Sequence, residues 1–252
     1  MQVFTQVVWW ANNAALGVLL YRGARGRLLR EYPVFYTYLG FVLSASFVLF
    51  RLSFASRQSY TTGYWTSEIL ATLLGVGVMW EFYDVVLAPY RGVRRMGRAL
   101  IATLLAVLFL KFAVDVAAQP ATVLMPTTVE LQRNLRFLQA LLLVVMFMLL
   151  RYYRLVLGRN AGSLFIGYAI VVSTSMINLT LRSALGAPFQ RWWTVLGPME
   201  YLVSAVCWCI GLWSRSSNPV SNASLAQDYA ALSRQTAMEM ARLRSRLVGV
   251  FR

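Results

Sequence analysis

The stretch Leu135–Leu155, LRFLQALLLVVMFMLLRYYRL, is the one whose reading decides the fold. Between Phe137 and Leu150 only Gln139 is polar, and the length approaches the roughly 20 residues that carry a helix across a hydrocarbon core of about 30 Å. Arg151 and Arg154 then close it with positive charge. Working outward, six more stretches have the same character: Val3 to Leu20, Val34 to Phe50, Tyr64 to Leu87, Leu100 to Ala117, Ser163 to Leu181 and Trp192 to Trp213. The pattern predicts an all-α integral membrane protein in which residues 1–213 form a seven-transmembrane-helix bundle.

Orientation follows from the arginines, because cytoplasmic loops retain positive charge during insertion. Arg22, Arg25, Arg27 and Arg30 follow the first stretch, Arg91, Arg94, Arg95 and Arg98 the third, Arg151, Arg154 and Arg159 the fifth, and six more lie after the seventh. The alternate loops carry only Arg51, Arg57, Arg133, Arg182 and Arg191. This bias places the N-terminus outside, the C-terminus in the cytoplasm, and the protein in a plasma or inner membrane. The charge comes after the first apolar stretch rather than before it, so that stretch is expected to stay as an uncleaved helix. A net charge of +15 would suggest nucleic acid in a soluble domain. Dispersed over loops, it fits anionic inner-leaflet lipid instead, and no nucleic-acid partner is expected.

The residue inventory excludes many chemistries. The chain has no histidine, so imidazole-held zinc or haem, a Ser-His-Asp triad and a His proton relay are all ruled out for it alone. Cys207 and Cys209 fall on different faces of the seventh helix and form no disulfide framework. No P-loop, GxGxxG turn or HExxH helix is present. No cofactor is expected, and an enzyme reading would rest on carboxylates alone.

Charges at membrane depth carry the functional argument, since each costs roughly 2.5 to 3.5 kcal/mol at a helix centre and so faces the bundle interior or a wet cavity. Glu68 is expected about one turn into the third span, Asp115 near the outer end of the fourth with Lys111 a turn deeper, and Glu200 about two turns into the seventh. Arg51, Arg133, Arg136 and Arg182 sit at the same outer level. These groups predict an outward vestibule in which Glu68, Lys111, Asp115, Arg182, Trp193 and Glu200 bind a small-molecule ligand; the bland counterpart is a set of interhelical salt bridges and snorkelling arginines. Lys111 and Asp115, spaced i and i+4, are expected to pair locally. Glu81 and Asp84, above the Arg91–Arg98 loop, read as an electrostatic clamp. Asn12, Asn13, Gln139 and Asn178 read as interhelical hydrogen-bond glue. Gly197-Pro198 is placed to kink or unwind the seventh helix just before Glu200. Trp9, Trp10, Trp65, Trp192 and Trp193 match an outer aromatic belt.

Arg22, Arg25 and Arg30 recur as Arg151, Arg154 and Arg159 at an offset of 129, Arg51 as Arg182 at 131, and Trp65-Thr66 as Trp193-Thr194 at 128. A duplicated three-plus-one-plus-three plan with parallel repeats accounts for these, as does the positive-inside rule acting on any chain of this topology. In plan, the chain resembles SWEET sugar transporters and other PQ-loop proteins, and also rhodopsins and G-protein-coupled receptors. It lacks a Pro-Gln motif in the first or fifth span, a lysine in the seventh, and the Asp-Arg-Tyr and Asn-Pro-x-x-Tyr signatures, which leaves the family unassigned. Residues 214–220 form a linker, and 221–252 an amphipathic cytoplasmic helix with Leu225, Tyr229, Leu232, Leu243 and Leu247 on its apolar face and arginines for the inner leaflet or for a partner. The leading expectation is a small-solute transporter. The alternatives are a receptor relaying through a partner, and a non-catalytic subunit of a membrane complex or homo-oligomer.

Overall fold

The computed structural model describes residues 2–88, 90–118, 124–152 and 156–216, together with positions 231, 234, 235 and 238. The expected amphipathic helix of 221–252 therefore lies largely outside the described residues. All the secondary structure described is helical: α1 (Gln2–Arg25), α2 (Leu28–Glu31), α3 (Pro33–Leu52), α4 (Arg57–Val86), α5 (Arg91–Ala118), α6 (Leu124–Tyr152), α7 (Arg159–Leu185) and α8 (Ala187–Gly211). Seven of these are long, and each covers most of one of the apolar stretches.

The helices overrun those stretches because capping and turn chemistry, not hydropathy, end them. Ser56 caps α4 by accepting from the Ser59 amide at 3.1 Å, so α4 starts seven residues ahead of Tyr64. Glu68 consequently lies about three turns into its helix, though only about one turn past Tyr64, and Glu200 about three and a half turns into α8. Between α7 and α8 the chain turns at Gly186, whose φ of 63° suits glycine and strains a residue bearing a Cβ.

The bundle is an integral, multi-pass membrane-spanning one. Within Val3–Arg25, Pro33–Leu52, Arg57–Val86, Glu130–Tyr152 and Arg159–Asn178 the helices are long and apolar enough to cross a bilayer. The apolar part of α8, Leu196–Gly211, is shorter, and α5 opens with four arginines. Side-chain placement supports the same environment. Val107, Leu110, Phe137, Val144, Phe147, Met148 and Ile210 face outward, whereas Thr72, Arg136, Gln139, Asn160, Glu200 and Ser204 are buried. Exposed apolar side chains around an interior that takes in these polar groups suit lipid as the solvent.

Neighbouring helices close a ring in the order α1, α3, α4, α6, α7, α8 and back to α1, and α5 stands outside it against α4 and α6. Close approach along the ring depends on small residues, as expected where packing rather than water exclusion drives association. Gly167 lies under the Trp208 indole and Gly211 against Ser163, joining α7 to α8, and Gly23 lets α1 meet the ring of Tyr36.

The alternate helix directions gather Arg22, Arg98, Arg159 and Arg215 at one pole. There Glu81 turns away from the arginine loop. Its carboxylate accepts from the Val34 and Phe35 amides at 2.8 and 2.9 Å, capping the N-terminus of α3. Only Asp84 forms the expected clamp, bonding Arg94 at 3.1 Å and taking both Nε and a terminal nitrogen of Arg98. The clamp reading is thus corrected for Glu81, because orphan amides at a helix start compete successfully for a carboxylate. The exit of α8 is fastened at the same pole. Arg22 lies over the Trp213 ring at 4.3 Å and donates to its carbonyl, Arg159 reaches Ser214, and Arg215 pairs with Glu31 at 3.2 Å.

Candidate functional site

The opposite, arginine-poor pole contains the site. Two stripes with the same i, i+4, i+7 spacing meet where α4 packs on α6: Glu68, Thr72 and Gly75 on α4, and Gln132, Arg136 and Gln139 on α6. Gln132 donates to Glu68 Oε2 at 3.0 Å, and Arg136 approaches the same oxygen at 3.5 Å. Below them Gln139 accepts from Arg136 at 3.4 Å and donates to the Thr72 carbonyl at 2.7 Å. The absence of a side chain at Gly75 is required here, since a Cβ would meet Gln139 Nε2 at 2.7 Å and collide with the Tyr168 hydroxyl. The stripes lock α4 to α6 and fix Arg136, only 4% exposed, at the centre of the bundle.

On α8, Glu200 faces this network. It is 7% exposed, and its Oε1 has no hydrogen-bond partner. Pro198, two residues earlier, interrupts the helical hydrogen bonds without ending α8, which runs on to Gly211. The expected kink site is therefore spanned by continuous helix.

These side chains line two adjoining cavities. The smaller, about 110 Å³, is bounded by Trp65, Gln132, Arg136, Ser175, Asn178 and Glu200. The larger, about 360 Å³, opens between α1, α3, α4 and α8 and is lined mainly by Trp9, Tyr38, Phe41, Val42, Leu49 and Pro198. Tyr64, Glu68, Trp193, Gly197 and Tyr201 belong to both and form the waist between them. Taken together they make a candidate chamber with an apolar, aromatic arm and a polar arm. Its size and lining are those of a small-molecule site, mostly apolar with a few placed polar groups.

Of the residues picked out in the sequence, Glu68, Trp193 and Glu200 meet at this chamber. Lys111 does not line either cavity: it donates to Glu130 at 3.0 Å across the α5–α6 contact, half exposed and outside the ring. Asp115 lies on α5 and Arg182 on α7, and their side chains fall outside the described residues. Arg51, Arg57 and Arg133 are exposed, as snorkelling residues would be. The tryptophans divide. Trp10 and Trp192 face outward at 55% and 72% exposure, as a belt requires, while Trp9, Trp65 and Trp193 line the chamber. Tyr38, Gln132 and Tyr201 carry no flag in the sequence. Only the i, i+4, i+7 spacing of Gln132, Arg136 and Gln139 along α6 could have pointed to that stripe.

Among the described residues, no group of three or more cysteines and carboxylates is placed to hold a metal ion. No protein-family model, curated protein or solved structure matches the chain.

Proposed function

We propose that the chain is a small-solute transporter or permease that binds its ligand in the chamber between α4, α6 and α8. The observation that carries this reading is Glu200: a carboxylate three and a half turns into a helix, more than nine-tenths buried, beside a cavity and without a partner for Oε1. Holding an unmet ionisable group in a bilayer is costly, and such groups are typical of substrate and ion pathways. On this reading all seven long helices span, with the N-terminus outside and the arginine-rich pole on the anionic inner leaflet of a plasma or inner membrane. The chamber then belongs to the outer half.

The three-plus-one-plus-three plan is part of the proposal. It is supported by the ring order, since α1, α3, α4 and α6, α7, α8 occupy equivalent places in it and α5 lies outside as the linker. A receptor function is the second reading, favoured by the fastening of the α8 exit to Arg22, Glu31 and Arg159, which would carry movement of α8 to a partner.

Reconstitution into proteoliposomes separates the two. The transporter reading expects solute flux above that of protein-free vesicles. Ligand binding with no flux, together with a stoichiometric co-purified partner, would favour the receptor. Orientation is checked separately on a Cys207→Ala, Cys209→Ala background. Cysteine introduced by Gly92→Cys should label only from the cytoplasm and by Thr62→Cys only from outside, and the reverse pattern would overturn the assignment.

A further inference from the structure

The chamber's unmet hydrogen-bonding demand lies on one side. Beside the polar arm, Glu200 Oε1 and Asn178 Oδ1 are buried acceptors without a donor, and Asn12 Oδ1, on a residue lining the apolar arm, is a third. A buried acceptor without a donor is costly, so the occupant that relieves it must bring N–H or O–H groups. The guanidinium is already engaged: Arg136 faces Glu68 at 3.5 Å and Gln139 at 3.4 Å. Among the described residues the chamber sets two carboxylates, Glu68 and Glu200, against that single cation. Charge and hydrogen-bond demand therefore both ask for a positively charged donor.

The walls agree. Tyr64, Trp193 and Tyr201 frame the waist, and Trp9 and Tyr38 extend the aromatic surface into the larger arm. Aromatic faces attract ammonium groups and suit a flat apolar body. We infer that the substrate class is an amphiphilic organic monocation: a primary or secondary ammonium seated by Glu200 in the polar arm, carried on an aromatic or aliphatic body that fills the apolar arm. This rests on the reading of the chamber as the ligand site and assigns its chemistry.

Binding to purified protein in lipid nanodiscs at neutral pH tests it, with four probes sharing one indole body: tryptamine (cation), tryptophol (neutral), indole-3-propionate (anion) and tryptophan (zwitterion). Tryptamine is expected to bind tightest. Glu200→Gln should weaken it by roughly ten- to a hundredfold, the loss of one charge-assisted contact, while changing tryptophol binding little. Trp193→Leu, which leaves every carboxylate in place, should weaken tryptamine by roughly two- to tenfold through the lost cation–π face. Equal binding of all four probes, tightest binding of indole-3-propionate or tryptophan, tryptamine binding indifferent to both substitutions, or no binding of tryptamine would each overturn the assignment. Failure of the transport reading would look different: tryptamine binds with the expected Glu200 dependence, yet proteoliposomes show no protein-dependent flux. That result would leave the cation site standing.

Discussion

At the arginine-rich pole each described carboxylate meets donors: Glu31 has Arg215, Glu81 has two helix-start amides, and Asp84 has Arg94 and Arg98. At the other pole Glu68 meets Gln132 and Arg136, but Glu200 Oε1 meets nothing. The space around these groups differs in the same sense. The cavity beside Glu81 measures about 10 Å³, too small for more than a single water, whereas Glu68 and Glu200 border about 360 and 110 Å³. Carboxylates and arginines occur at both poles, so composition does not distinguish a fastener from a site. Satisfaction and room do. A charge whose neighbours complete its hydrogen bonds holds helices together, and on the proposed reading one left incomplete beside a cavity serves a ligand.

This contrast can be broken at several points. The largest loss is expected for Arg136→Met, which leaves the buried Glu200 and the half-buried Glu68 without the buried guanidinium they face. Breaking such a buried pair costs about 3 to 5 kcal/mol, to be read as a lowered thermal midpoint in detergent. Arg136 would be no more than peripheral if the midpoint stayed at the parent value. Next is Glu81→Ala at the satisfied pole. Removing both charge-assisted caps from α3 is expected to cost about 2 to 3 kcal/mol while ligand binding per folded molecule is unchanged, and altered binding would mean that the two poles are not independent.

Gly75→Ala is expected to cost about 1 to 3 kcal/mol by forcing Tyr168 and Gln139 away from α4. Denaturant titration of the purified variant would detect this, and full stability would show that the α4–α6 contact is looser than described. The smallest change is expected for Asp84→Asn. Its arginine partners are 36% and 44% exposed, so the clamp contributes under about 1 kcal/mol and less at high salt. A loss of several kcal/mol there would require a burial that this clamp does not have.

Much of the fold was legible because hydropathy and positive charge are local properties: each apolar run marks a long helix, and the arginine loops share one pole. Helix ends were less legible, since the Ser56 cap that extends α4 is a hydrogen-bond event that a hydropathy profile does not register. Ring order was not legible at all. Lys111 has the sequence features of a buried cation, yet it rides on α5, the one long helix outside the ring among the described residues, and no local pattern of α5 records that. Glu68 and Glu200 were legible as expensive charges in apolar surroundings. Tyr38 and Tyr201 were not, because a tyrosine in a spanning helix serves equally at an interface, in a core or in a cavity wall. Glu81 was misread for a related reason: its partners are backbone amides of α3, which a side-chain pattern cannot show.

The central claim is that the Glu200 carboxylate serves a ligand rather than the fold, and Glu200→Gln addresses it directly, because the amide preserves shape while removing charge. Thermal unfolding and solute flux should be measured on the same preparations. A carboxylate that serves a ligand leaves the thermal midpoint of the variant equal to or above that of the parent protein, with ligand-dependent flux abolished. A midpoint lowered by the several kcal/mol of a broken buried pair, with normal flux per folded molecule, would contradict that claim.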